Sequence, residues 1–110
     1  MDFQDLKGLH EEAAQHYSNA ERSTDAAKAA AAIRNGLVGH DGADARYTLE
    51  LSTNSYKDRH AQDVEKAFRR EAIPHAQAVL RMIELRHLAD ARRERSMGDA
   101  ITDQIQAAIV

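Results

Sequence analysis

The stretch KDRHAQDVEKAFRREAIPHAQAVLRMIELRHLADARRERS, residues 57–96, decides the fold class. Ala61, Val64, Phe68 and Ala72 recur at three- and four-residue steps, the period of one helical face. Beyond Pro74 the apolar face is carried by Ile73, Ala76, Val79, Leu80, Ile83 and Leu88, with little shift of phase. A proline inside a helix removes one backbone hydrogen bond. The reading is therefore a kinked continuous helix, or two abutting helices with Pro74 in the first turn of the second. Arg92, Arg93 and Arg95 fall in the last turn before Gly98, where cations suit the helix dipole.

Outward from this stretch the signals remain helical. Toward the C-terminus, Asp99 is a good cap, and Ile101, Ile105, Ala108 and Ile109 form a short amphipathic stripe. Residues 98–110 are thus expected as a separately docking tail helix. Toward the N-terminus, Leu6, Leu9, Ala13, Tyr17, Ala20, Ala27 and Ala31 share one face of a helix from about Asp2 to Asn35. Asp2 or Asp5 can cap it, and Ser23-Thr24-Asp25 can break it. Asn35-Gly36 marks its end. Residues 36–44 carry three glycines and two aspartates and are expected to form a loop. Residues 45–56 admit a helix or a strand paired between two copies. The helix is preferred, because a lone strand leaves its backbone groups unpaired.

Composition sets what these helices can bury. Leu, Ile, Val and Phe supply 20 of 110 residues, and alanine alone supplies 21. Such a chain is a strong helix former with a thin core. The expected architecture is a single all-α domain over residues 1–110. It is a small bundle of three to five helices, two of them long and antiparallel, joined through the loop at 36–44. A thin core favours completion by a second copy or a partner.

Charge and motifs narrow the function classes. The chain has no cysteine, which removes disulfides and thiolate chemistry. No run approaches the length of a membrane span, and the acidic N-terminus is unlike a signal peptide. A cytoplasmic location is expected, or a virion if the source is a phage. The high Arg and Ala content fits a GC-rich bacterial or phage genome. Residues 1–56 hold nine acids and five bases, and residues 57–95 hold seven acids and ten bases. Such an asymmetry can pair within the chain or between copies.

Three constellations merit weighing. Glu12–His16, Glu71–His75 and Glu84–His87 stand three or four apart and share helix faces. Of these, Glu84-Leu85-Arg86-His87 has the spacing that carboxylate-bridged metal bundles use. A ferritin-like site from Glu84, His87 and a facing carboxylate such as Glu12 is therefore an alternative, although Arg86 opposes a dication. The arginines at 69, 70, 81, 86, 92, 93 and 95 offer a second alternative, a regulator that contacts nucleic-acid phosphates. Interleaved acids and a pI near 6.0 weigh against it, since such surfaces are net basic. Neither a nucleophile elbow nor a phosphate loop occurs, so no catalytic residue, cofactor or metal is assigned. The preferred expectation is a non-catalytic module that binds itself and another protein, as an adaptor, assembly subunit or regulatory inhibitor. Its interface would use the apolar ends Phe3, Leu6 and Leu9 and Ile101, Ile105 and Ile109, rimmed by Arg92, Arg93 and Arg95.

Overall fold

The computed structural model describes residues 2–37, 49 and 59–109. Beyond Leu37, the expected loop at 36–44 lies outside the described residues, and so does the segment 45–56 apart from Leu49. Two α-helices account for nearly all the rest: α1, Phe3–Gly36, and α2, Arg59–Ile109. The protein is all-α, but the described residues hold two long helices where three to five were expected.

The difference arises where local stop signals are overridden. Asp2 caps α1 as expected: its carboxylate accepts the Asp5 N–H at 2.9 Å, and its carbonyl accepts the Leu6 N–H at 3.1 Å. At Ser23-Thr24-Asp25 the helix does not break. The Thr24 hydroxyl donates back to the Ala20 carbonyl at 2.9 Å, which satisfies it in mid-helix. Ala20 and Ala27, each 2% exposed, seat the two sides of that turn in the core. α1 ends at Gly36, and the Leu37 N–H closes onto the Arg34 carbonyl.

In α2 the continuous alternative holds at Pro74. An interior proline costs about 3 kcal/mol, and anchors on either side offset that cost. Ile73 is buried, and the Gln77 amide donates to the carbonyls of Leu37, at 2.9 Å, and Arg34, at 3.5 Å. The expected break at Gly98-Asp99 is also absent, so residues 98–109 are the end of α2 and not a separate tail helix. Gly98 is a packing notch. A Cβ there would lie 2.9 Å from Cε1 and Cζ of Tyr17, inside any normal van der Waals contact.

The chain divides into two compact units, and both helices contribute to each. The first comprises Met1–Lys28 and Leu85–Val110. Its core is Ala13, Ile101 and Ile105 with Leu6 and Leu9 packed against them, extended by Ala20, Ala27 and Ala91. Within it the helical segments run antiparallel, since Tyr17 meets Asp99 and Thr102 while Thr24 meets Arg95. The second unit, Ala29–Glu84, buries Ala30, Leu37, Ile73 and the carboxylate residue Glu84. It is antiparallel too: Arg34 meets Glu84, and Leu37 meets Gln77.

Two of the helical glycines, Gly8 and Gly98, predict opposite responses. Gly8 has nothing near its missing Cβ, so Gly8→Ala should raise stability by about 0.5–1 kcal/mol through helix propensity. Gly98→Ala gains the same propensity but must displace the Tyr17 ring, and a net loss of about 1 kcal/mol is expected. Denaturant melts of the two variants beside the parent check both signs.

Candidate functional site

In the first unit the polar contacts gather around Tyr17. Its ring lies over Gly98, and its hydroxyl donates to Asp99 Oδ1 at 2.6 Å and meets the Thr102 hydroxyl at 3.2 Å. One residue back, His16 Nδ1 stands 2.6 Å from Glu94 Oε2, with both side chains about one-fifth exposed. Arg95 donates to the Thr24 hydroxyl at 2.9 Å. These bonds fix the register between the two helical segments, because a hydrogen bond tolerates only a few tenths of an ångström of slip.

Beside Tyr17 lies an open groove of about 400 Å³. Ala13, Ile105 and Ile109 supply apolar lining, and His10, Thr102 and Gln106 supply polar groups. Such a slot can accept an apolar side chain from another molecule and hold polar atoms at its rim.

The residues expected at an interface divide into two groups. Ile101 and Ile105 are 9% and 5% exposed and form the chain's own core with Leu6 and Leu9. Their clustering serves intramolecular packing, because Ala13 opposite them is too small to fill the space alone. Phe3 and Ile109 are 75% and 69% exposed. Arg92, Arg93 and Arg95 are all exposed. Arg93 pairs with Asp90 at 3.0 Å, as the spacing suggests, and Arg95 is held by Thr24.

The Glu–His pairs do not form as spaced. His16 reaches across to Glu94 instead of Glu12. Glu84 accepts two hydrogen bonds from Arg34, at 2.8 and 3.2 Å, and one from Arg81. Two guanidiniums on one carboxylate leave it poorly disposed toward a cation. Among the described residues no three His, Asp or Glu side chains converge as a metal site would require. The Glu65–Arg69 pair does form, at 2.5 Å.

A second surface lies on α2 within the second unit. Val64, Val79 and Met82 are 61%, 53% and 60% exposed, and Phe68 is 38% exposed. At about 100° per residue these four fall within about 60° of one another, nearly opposite Ile73 and Glu84. Along the sequence this stripe and the buried one run together as a single apolar face, and Met82 belongs to the exposed set. The signal was present: two sets of apolar residues at different azimuths on one helix. Periodicity alone does not say which set faces inward.

Comparison with protein families, with curated proteins and with solved structures returns no match. No helix among the described residues is long and apolar enough to cross a membrane.

Two outcomes follow from this geometry. Ile105→Ala should cost about 2–4 kcal/mol by emptying a core position, while Ile109→Ala should stay within about 0.5 kcal/mol; urea titrations separate them. The second concerns acid. The Arg34 guanidinium holds the Glu84 carboxyl below its ordinary range, burial opposes this, and Arg81 adds to it. The hydrogen bond from His16 lowers Glu94 in the same sense, again against burial. Both carboxyls are depressed in the folded state. Their contribution is therefore complete above the unfolded carboxyl value of about 4.3 and lost as pH falls through the folded values. The melting temperature should drop steeply below about pH 4.3. Glu84→Gln should start lower at pH 7 and lose less in acid.

Proposed function

We propose that this chain is a non-catalytic protein–protein interaction module that acts as a homo-oligomer and presents a docking groove to another protein, as an adaptor, assembly subunit or regulatory inhibitor. One observation carries the reading. Among the described residues, four large apolar side chains are buried (Leu37, Ile73, Ile101 and Ile105), and ten are exposed. Burying each such side chain is worth about 1.5–3 kcal/mol. A chain that leaves more of them exposed than buried, while closing its core with alanine, has apolar surface to offer to others.

The groove beside Tyr17 supports docking of another protein's apolar side chain, with Phe3 and Ile109 as exposed anchors near the ends of the helices. Arg92 and Arg93, both solvated, suit a polar rim. The earlier interface set is thereby reduced: Leu6, Leu9, Ile101 and Ile105 support the fold, and Phe3 and Ile109 remain for contact.

Light scattering on a sizing column tests the oligomer. The expected native mass is at least twice the 12.2 kDa of one chain. A monomer at every accessible concentration overturns the homo-oligomeric reading.

A further inference from the structure

The exposed stripe on α2 has a feature that a merely apolar face lacks: it is complementary to itself when reversed. Near the stripe's midpoint along the helix, Glu71 and His75 stand one turn apart and are both exposed. Val64 and Phe68 lie on the N-terminal side of them, and Val79 and Met82 on the C-terminal side. At about 100° per residue His75 falls within the apolar arc and Glu71 about 20° outside its edge.

We propose that a second copy of this chain lies antiparallel along this stripe, related by a two-fold axis passing near residue 73 of α2. The inference rests on the homo-oligomeric reading above and supplies its seam. In this arrangement Val64 faces Met82 of the other copy and Phe68 faces Val79. Each pair occurs twice, as an isologous interface requires. Glu71 accepts from the imidazole of His75 across the axis. A parallel copy would instead set Glu71 beside its own equivalent, so this pair selects the antiparallel partner. The seam spans about 30 Å at about 1.5 Å per residue. The second copy removes from water the apolar side chains that the fold leaves outside.

Native mass across a dilution series tests this in full-length protein. The parent should be a dimer. Phe68→Glu with Met82→Glu should be monomeric with unchanged helical circular dichroism, since both side chains are exposed. His75→Glu alone places like charge across the axis, as does Glu71→Lys with His75→Lys. Each of these two proteins should dimerise about tenfold or more weakly. Mixed in equal amounts they should recover a dimer, because each lysine then faces a glutamate of the other chain. Repulsion within each helix is the same before and after mixing, so recovery reports the contact between chains. A parent oligomer whose mass survives Phe68→Glu with Met82→Glu overturns this seam and leaves the homo-oligomeric reading standing. Failure of the mixture to dimerise overturns the antiparallel register. A monomeric parent overturns both.

Discussion

The close approach of two helices through alanine and glycine is the constraint on which the rest depends. Ala13, Ala20 and Ala27 stand seven apart on α1 and are buried. On α2, Ala91 and Gly98 stand seven apart and are likewise buried. A seven-residue repeat keeps one seam facing the opposing helix. With so little side-chain volume in the seam, the backbones come close and few large residues fit between them. The Tyr17 ring over Gly98 shows how tight the fit is, since even a methyl group there would collide.

The register of that seam is held by polar contacts more than by volume. Tyr17 with Asp99 and Thr102, and His16 with Glu94, pin the first unit. Arg34 with Glu84, and Gln77 with the end of α1, pin the second. An alanine seam is nearly featureless along its length, so apolar packing alone would discriminate weakly between registers. Glu84 is the one buried charged residue among the described residues, and its two arginines satisfy it. A buried carboxylate losing both would be strongly destabilising. The same contacts engage Glu84 and His16 across the helices, away from the partners that spacing along the chain suggests for them.

A thin seam also determines what is left outside. Large apolar residues that the core cannot accept, Phe3, Val64, Val79, Met82 and Ile109 among them, stay in water. Core and surface are thus two consequences of one composition. The association proposed above follows from this surplus, and Glu71 and His75 at the middle of the α2 stripe give it direction.

Helical class, the cap at Asp2 and the end of α1 at Gly36 were legible in the residues, because they depend on contacts within a few positions. The pairs Glu65–Arg69 and Asp90–Arg93 were legible for the same reason. What the residues alone did not decide was the number of helices, since Thr24 and Gly98 carry stop signals that tertiary packing overrides. Nor did they decide which apolar stripe of α2 faces inward. Both stripes have helical period, and only the position of the opposing α1 segment distinguishes them. Whether Ile101 and Ile105 served the core or a partner was undecided on the same ground. Local sequence determines where a helix can form; the free energy of packing one helix on another determines where it stops and which side it buries.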